Sequence, residues 1–334
     1  MTPWLLGLVV VVIVAAVLFA RARRDGGATS NATARAPAPP PAAPATPGPP
    51  SAPPKAAAKP RASAQDAPEI ESARSYLDES DDTQPNPWVL VSGVGRTDAG
   101  LRRKHNEDAF LVLESHDLFV VADGMGRHQA GEIASRMAVD TVAATFASGD
   151  FGKQDVAGSS REAGRLLAAF HEANRAVFDA SREREEYSGM GTTMVALHFS
   201  RGKDRAAICH AGDSRCYRSR GGTLEQLTVD HTLGAAGIVG PSANVLSRAV
   251  GIEENLEPDA QTIKPEVGDI FLICSDGLSR MVQLPEIQAV LEREHDLDAA
   301  ASTLIASANA AGGRDNVTVI LVRVDKSPAH GGEA

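Results

Sequence analysis

Cysteine and aromatic residues are scarce in this chain of 334 residues. The three cysteines, Cys209, Cys216 and Cys274, are too few and too widely spaced for a disulfide framework or a zinc site. We therefore expect small, buried or half-buried thiols in a reducing compartment. Nine Phe, three Tyr and two Trp are the only aromatic residues, so the core must be built mainly from Val, Leu, Ile and Ala.

An excess of basic residues is also lacking beyond the N-terminal region. The net charge of the whole chain is −10, and residues 1–61 carry seven Lys or Arg against one acid. The remaining residues therefore carry a net charge of −16. Nucleic-acid binding usually leaves a basic footprint, so this composition argues against a nucleic-acid partner and suits a protein that gathers cations.

The longest apolar run lies at the N-terminus. Residues 4–20 contain no charged side chain, and their length is near the lower limit for crossing a bilayer. The basic sequence RARR follows at 21–24, and the positive-inside rule then places the rest of the chain in the cytoplasm. We expect residues 1–24 to form an uncleaved, single-pass anchor in the inner membrane. A cleaved signal peptide, a buried helix and the reversed topology remain alternatives.

The remainder of the chain divides by composition. Residues 25–87 are rich in Ala and Pro and cannot bury enough apolar surface to offset the entropy of ordering, so we expect a disordered linker. Residues 88–326 form the predicted globular domain, in which short apolar runs alternate with turn residues. Residues 327–334 form a predicted disordered tail.

The predicted domain combines short strands with four amphipathic helices. The strands are rich in Val, Ile and Thr and are predicted at 88–95, 108–113, 118–122, 192–199, 205–210, 214–218, 270–274 and 316–324. The helices are predicted at 130–147, 161–184, 285–294 and 298–311. The sequence SRGGT at 219–223 predicts a hairpin turn before a short strand at 224–227. Because the helices fall into two groups, we expect an α+β fold with antiparallel sheets covered by helices.

Acidic residues flank these strands at six positions. They are Glu107, Asp108, Asp123, Asp213, Asp276 and Asp315. Each acid alone has a structural interpretation, because Asp and Gly are common turn residues. Gathered at adjacent strand ends, however, the acids would repel one another unless cations neutralise them or several become protonated. An all-oxygen ligand set selects Mg²⁺, Mn²⁺ or Ca²⁺ over zinc, so the sequence predicts a centre for hard divalent cations.

A pair of such ions suits hydrolysis of a phosphate ester. Two divalent ions about 3.5–4 Å apart lower the pKa of a water molecule between them and prepare it for in-line attack on phosphorus. The phosphoryl oxygens then require a cation from the protein, and a guanidinium matches phosphate geometry. Arg103 is the first candidate, with Arg102 and Lys104 as alternatives, and each could instead be a solvated loop cation.

Eight motifs follow one another along roughly residues 90–325. They are RTDAGLRRKHNEDAF, VVADGMG, GMGTTMVAL, AGDSRCY, LTVDH, NVLSRAVG, LICSDGLSRMV and GGRDNVTVILV. In order and spacing these motifs resemble those of the bacterial metal-dependent Ser/Thr protein phosphatases, the type 2C (PPM) family. The resemblance implies a sandwich of two antiparallel β-sheets flanked by helices in an α-β-β-α arrangement. It also implies a dinuclear Mg²⁺ or Mn²⁺ centre at one end of that sandwich.

The resemblance implies a role for each metal ligand. Asp123 would bridge both ions. Asp276 and Asp315 would complete the shell of one ion, and Glu107 with the Gly124 carbonyl would hold the other.

The resemblance also implies the residues that act on the substrate. Asp108 would orient the attacking water, and Arg103 would contact the substrate phosphate. Asp213 with Asp276 matches the positions that hold a third, weaker ion in bacterial members. The implied reaction is hydrolysis of phosphoserine and phosphothreonine in proteins by a metal-bound hydroxide.

The partners implied by the resemblance are phosphorylated proteins, including a bacterial Ser/Thr kinase and its substrates. With the predicted anchor, the catalytic domain would act in the cytoplasm at the inner membrane. A catalytically weak regulatory or scaffold protein with the same fold remains the alternative.

The chain departs from the family pattern at three places. Met125 stands where eukaryotic members have a His that is a proposed general acid, and His128 is a nearby candidate for proton transfer. Arg127 replaces a usual Gly and could bind phosphate or face solvent. Residues 231–243 are short and rich in Gly and Ala, whereas many bacterial members have a longer, charged flap helix there.

Overall fold

The structure, a computed structural model, describes residues 89–127, 129–151 and 160–326. The predicted anchor (1–24), linker (25–87) and tail (327–334) lie outside the described residues, as does His128. Within the described ranges, none of the helices has the length and apolar composition needed to cross a bilayer.

Eleven strands form two sheets in the described part of the chain. They are β1 (Val89–Asp98), β2 (Asp108–Leu113), β3 (Leu118–Met125), β4 (Gly191–Thr192), β5 (Met194–Phe199), β6 (Ala206–Ala211), β7 (Arg215–Arg220), β8 (Thr223–Gln226), β9 (Asp259–Ile263), β10 (Ile270–Cys274) and β11 (Val317–Lys326). The first sheet has the order β1-β11-β10-β7-β8. The second has the order β2-β3-β5-β6-β9, with β4 paired to β3. Neighbouring strands in both sheets are antiparallel.

Alternation along the strands builds the apolar layers. In β3, Phe119 and Val121 pack with Phe271 of β10 in the layer between the sheets. Leu118 and Val120 belong to a second cluster on the opposite face of β3. Successive side chains of a strand point to opposite faces of its sheet, so the central strands bury both faces. The apolar sequence of these strands is therefore nearly continuous.

Helices cover the outer faces of the sandwich. They are α1 (Ala130–Ser148), α2 (Arg161–Glu183), α3 (Asp276–Ser279), α4 (Leu284–Arg293) and α5 (Leu297–Ala310), with short 3-10 turns at Glu114–His116 and Glu185–Tyr187. Helices α1 and α2 pack on the second sheet, and α4 and α5 pack on the first. Ser160 caps α2 by accepting from the Ala163 amide, and Asp296 caps α5 by accepting from the Ala299 amide. The predicted α-β-β-α sandwich is confirmed.

The predicted elements agree with the structure to within a few residues. Gly221 and Gly222, with φ of +56° and +75°, form the predicted turn between β7 and β8. The predicted strand at 192–199 is divided into β4 and β5. Two elements escape the sequence pattern, because β9 is a polar, mostly exposed edge strand and α3 is a single turn. All three cysteines are free and buried, as expected.

Residues 231–247 form a short loop without a helix, which we call the flap loop. The Gly234 amide donates a hydrogen bond of 2.7 Å to the Ala243 carbonyl and closes the loop on itself. A Cβ on Gly234 would lie 2.8 Å from that carbonyl oxygen, so the close approach requires glycine. Val239 at the tip is 92% exposed.

Candidate metal centre

The six predicted acids come together at one end of the sandwich. Asp108 begins β2 and stands opposite Asp123 of β3 in the ladder. Asp108 Oδ2 accepts hydrogen bonds from Ser275 Oγ at 2.8 Å and from Thr318 Oγ1 at 2.7 Å. Ser275 directly follows β10 and Thr318 lies in β11, both of the first sheet, whereas Asp108 lies in the second sheet. These two hydrogen bonds therefore join the two sheets at the site. The remaining acids lie just before or after neighbouring strands: Glu107, Asp213, Asp276 and Asp315.

Two threonines fix the backbone at Asp123. The Asp123 carbonyl accepts hydrogen bonds from the Thr193 amide and from Thr192 Oγ1, both at 2.8 Å. The Asp123 amide donates to Thr193 Oγ1 at 3.2 Å. Thr193 Oγ1 is in turn 2.6 Å from Ser214 Oγ, next to Asp213. The two threonines therefore hold Asp123 in place and connect it to the strand end that carries Asp213.

Glycine is required on the other side of Asp123 because three backbone segments meet there. The Gly124 amide donates to the Glu107 carbonyl at 3.0 Å. A Cβ on Gly124 would lie 2.1 Å from the Gly131 carbonyl oxygen, and a Cβ on Gly131 would lie 2.7 Å from Glu107 Oε1. The start of α1 thus packs directly against the Glu107 carboxylate and limits where it can point.

Asn316 holds the loop that carries Glu107 and Arg103. Its Oδ1 accepts from the Glu107 amide at 2.8 Å, and its Nδ2 donates to the carbonyls of Ala99 and His105 at 3.0 and 2.9 Å. No functional role for Asn316 was predicted from the sequence. The local feature that could have marked Asn316 is the sequence GGRDN at 312–316. The residues that its side-chain amide contacts, however, lie more than two hundred residues away in sequence.

Burial and mutual repulsion shift the titration of the clustered acids. Burial raises the pKa of Asp108 to about 7, and the negative charge of Asp276 adds to this shift. Burial and the neighbouring acids raise the pKa of Asp123 well above its ordinary value. Burial also raises the pKa of Asp276 to about 6 and raises the pKa values of Glu107 and Asp213. The positive charge that the chain places beside these acids does not offset their burial and mutual repulsion, and bound cations would supply the rest.

Asp108 also indicates that a ligand from outside the chain binds at this site. Its Oδ1 is buried and has no hydrogen-bond partner among the described residues. A buried carboxylate oxygen without a partner is costly. The donors that converge on this point are oxygens only, the ligand set that hard divalent cations prefer. The residues present therefore fit a cluster of Mg²⁺ or Mn²⁺ ions.

Arg103 lies against two of the predicted ligands. Its Nη2 donates to Asp315 Oδ2 at 2.8 Å, and its Nη1 is 3.8 Å from Glu107 Oε2. The alternatives Arg102 and Lys104 are exposed and form no ion pair in the described part of the chain. Among these three cations, the structure thus brings only Arg103 to the centre.

Arg280 is a second guanidinium at the centre, and the sequence analysis did not identify it. Its Nη2 lies 2.6 Å from Asp213 Oδ2 and 3.0 Å from Asp276 Oδ2. The available signal was its position four residues after Asp276, which places both side chains on one face of a helical turn. That signal becomes visible only once α3 is known to be helical.

Arg127, a predicted substrate-binding residue, is not brought into the acidic cluster. Arg127 is exposed and forms no ion pair with a described residue, while its carbonyl accepts from the Ala130 amide at the start of α1. His128 lies outside the described residues, so its role in proton transfer stays a prediction. Met125 ends β3 and pairs with Gly191 of β4.

A cavity of about 510 Å³ opens beside the centre. Its lining includes the acids Asp213, Asp276 and Asp315 and the cations Arg280 and Arg314. The flap loop contributes to the wall as well. The cavity therefore lies between the acidic cluster and the flap loop, where a bound molecule would contact both.

Comparison with known sequences gives matches over most of the chain. The sequence profile of protein phosphatase 2C matches residues 100–313. The serine/threonine phosphatase stp of Listeria welshimeri is 37% identical over 243 residues, which cover 68% of this chain and 93% of that protein. Protein phosphatase PhpP of Streptococcus pneumoniae is 33% identical over 247 residues, which cover 70% of this chain and 97% of that protein.

Solved structures give the same result for the fold. PppA, described as a key regulatory component of the T6SS in Pseudomonas aeruginosa, is 35% identical with a TM-score of 0.61 and covers 70% of this chain and 98% of its own. The catalytic domain of the serine/threonine protein phosphatase PstP, solved in complex with two manganese ions, is 33% identical with a TM-score of 0.61. It covers 71% of this chain and 100% of its own.

Proposed function

This chain belongs to the protein phosphatase 2C family and is a serine/threonine protein phosphatase, and from that premise we propose that it hydrolyses phosphoserine and phosphothreonine in proteins at a dinuclear Mg²⁺ or Mn²⁺ centre. The observation that carries the proposal is the cluster of acids around Asp123, in which Asp108 keeps one buried oxygen without a partner. The manganese-bound PstP structure supports a centre of two ions.

The ligands would be shared between the two ions. Asp123 would contribute to both, Asp276 and Asp315 would hold one, and Glu107 with the Gly124 carbonyl would hold the other. When bound, the ions supply positive charge that activates a water molecule and neutralises the phosphoryl oxygens. Their charge would also lower the pKa values of these acids, so the cluster would be fully ionised at neutral pH.

Asp108 would orient the attacking water and accept its proton. Ser275 and Thr318 fix Oδ2 through two hydrogen bonds, and Oδ1 remains without a protein partner. Oδ1 is therefore the atom that can accept a proton. Burial raises the pKa of Asp108 to about 7 in the metal-free protein, and bound cations would lower it, so Asp108 would be ionised at neutral pH and able to accept a proton.

Arg103 would bind the phosphoryl oxygens of the substrate. Its guanidinium is now paired with Asp315 and, more loosely, with Glu107, which are both proposed ligands. Metal ions held by these two acids would offset their charge and would leave the Arg103 guanidinium free to bind phosphate. A guanidinium can donate two parallel hydrogen bonds to a phosphate group.

The proposed substrates are phosphorylated proteins, including targets of a bacterial Ser/Thr kinase. We further propose that residues 4–20 anchor the chain in the inner membrane and that the linker at 25–87 tethers a cytoplasmic catalytic domain. The uncharged apolar run and the RARR sequence that follows it support this topology. A fluorescent signal from a C-terminal green fluorescent protein fusion is the expected result, and activity of an alkaline phosphatase fusion at the same position would contradict it.

Phosphate release from a phosphothreonine peptide tests the proposed activity. We expect the full chain to release phosphate with Mn²⁺ or Mg²⁺, and to lose this activity in EDTA and in the Asp123→Asn variant. Glu253→Gln is the matched control, because it removes one exposed acid whose side chain forms no ion pair in the described part of the chain. Absence of phosphate release by the folded parent chain with both metals would refute the proposal.

A further inference from the structure

Arg280 occupies the gap between Asp213 and Asp276, the two residues that match a third-cation site. One nitrogen, Nη2, approaches both carboxylates, at 2.6 Å from Asp213 Oδ2 and 3.0 Å from Asp276 Oδ2. A divalent cation such as Mg²⁺ would bind the same oxygens at about 2.0–2.1 Å. The guanidinium and a cation shared by these two oxygens therefore exclude each other.

The local backbone fixes where Arg280 begins. The Arg280 amide donates to the Asp276 carbonyl at 2.8 Å, which completes the single turn of α3. Positions i and i+4 of a helical turn lie on one face, so the Arg280 side chain starts beside the Asp276 carboxylate. Leu278 is fully buried beneath this turn, and a Cβ on Gly277 would lie 1.9 Å from the Asn316 carbonyl oxygen. The turn therefore has little room to rotate away from Asp213.

Among the described residues, no other cation that lines the cavity forms an ion pair with Asp213. Arg215 forms a bidentate ion pair with Asp230, at 2.9 and 2.7 Å. Arg314 lines the cavity but forms no ion pair with any described residue. Arg280 is thus the single described guanidinium that contacts Asp213, whose side chain is only 7% exposed.

Arg103 and Arg280 differ in how they contact the acids. Arg103 extends from a loop and makes one close contact with Asp315 and one long contact of 3.8 Å with Glu107, both proposed ligands of the two principal ions. Arg280 makes two close contacts, and Asp213 is not needed for either principal ion. Two bound ions would take up the charge of both partners of Arg103 but of only one partner of Arg280, Asp276, so the shorter contact with Asp213 would keep Arg280 in position.

We propose that Arg280 takes the place of a third divalent cation, so that the centre of this chain binds two ions and Asp213 serves the guanidinium rather than a metal. This inference rests on the proposed dinuclear centre. It predicts that the loss of Arg280 opens a new cation site between Asp213 and Asp276. The class of ligand for the opened site is a hard divalent cation, because its donors are carboxylate oxygens.

The test is the number of Mn²⁺ ions bound per chain, measured by equilibrium dialysis and metal analysis over a range of free Mn²⁺. We expect two ions for the full parent chain and three for Arg280→Ala. The Arg280→Ala/Asp213→Asn double variant should return to two, which assigns the added ion to this gap. Arg314→Ala is the matched control: it removes one positive charge from the same cavity without opening the gap, and we expect two ions.

The outcomes separate this inference from the proposed function. A parent chain that binds three ions, or an Arg280→Ala variant that still binds two, overturns the role of Arg280 and leaves the dinuclear centre intact. A third ion in Arg314→Ala would also overturn it, because general charge would then explain the gain. A parent chain that binds no Mn²⁺ overturns both. Thermal unfolding checks the fold of each variant, and Arg280→Gln, which keeps most of the side chain, replaces Arg280→Ala if the latter does not fold.

Discussion

The Asp276 carboxylate is expected to destabilise the protein when no metal is bound. Burial raises its pKa from 3.8 to about 6. Because the folded-state pKa is the higher one, the cost of the charged form is absent below about pH 4 and fully present above about pH 6. A shift of about two units corresponds to about 3 kcal/mol. Part of this free-energy cost is shared with the neighbouring Asp123 carboxylate. We therefore expect Asp276→Asn to stabilise the metal-free protein by about 1–3 kcal/mol at pH 7.5.

Thermal unfolding in EDTA measures this effect. For a domain of this size, 1 kcal/mol corresponds to about 2–4 °C, so the Tm of Asp276→Asn should exceed that of the parent by several degrees at pH 7.5. In Mn²⁺ the order should reverse, because the parent gains about 2.7 kcal/mol at a metal concentration of 100 Kd and the variant lacks a ligand. Glu253→Gln should change neither result. A lower Tm of Asp276→Asn in EDTA at pH 7.5, or an unchanged advantage at pH 4, would refute the reasoning.

Three further predictions follow from individual side chains. Asp108→Asn should lower kcat by about 10²–10⁴ while Mn²⁺ still binds, because the general base is lost; steady-state kinetics with near-parent kcat would contradict the assignment. Arg103→Ala should lower kcat/KM by about 10–100-fold, the equivalent of about 1.5–3 kcal/mol for a charge-assisted hydrogen bond, whereas the exposed Arg102→Ala should change it little. Burial lowers the pKa of His198 to about 3, below its value of about 6.5 in the unfolded chain, so stability falls as the pH drops below about 6.5. His198→Phe keeps the edge contact with Phe146 but cannot be protonated. Between pH 7.5 and 5.5 the free energy of unfolding of the parent, measured in urea, should fall by about 1 kcal/mol more than that of His198→Phe, and an equal fall in both proteins would contradict this.

The sequence pattern was sufficient to predict antiparallel sheets covered by helices and the acids that come together at one end, whereas the two-sheet sandwich was implied by the resemblance to the type 2C phosphatases. The acids could be found because each lies beside a strongly apolar strand, as in the run that leads to Asp123. Local chemistry also revealed the hairpin turn at Gly221 and Gly222. These signals are short in sequence, so no knowledge of the tertiary structure was needed.

The residues that escaped the sequence analysis act through contacts that are distant in sequence or depend on a short element. Asn316 became visible only when its amide was seen to hold the loop between Ala99 and His105. Arg280 depends on the single turn of α3, which has too few residues to produce a helical pattern. Strand β9 has a polar sequence because it is an exposed edge, so its ladder with β6 leaves no apolar alternation to detect.

The most direct test of the central claim is electron paramagnetic resonance of the Mn²⁺-loaded protein. Two ions about 3.5–4 Å apart and bridged by one carboxylate should give an exchange-coupled spectrum. We predict that the parent chain shows this spectrum and that Asp123→Asn shows only isolated ions or none. Isolated ions alone in the parent chain, or a coupled pair that survives in Asp123→Asn, would contradict a dinuclear centre built on Asp123.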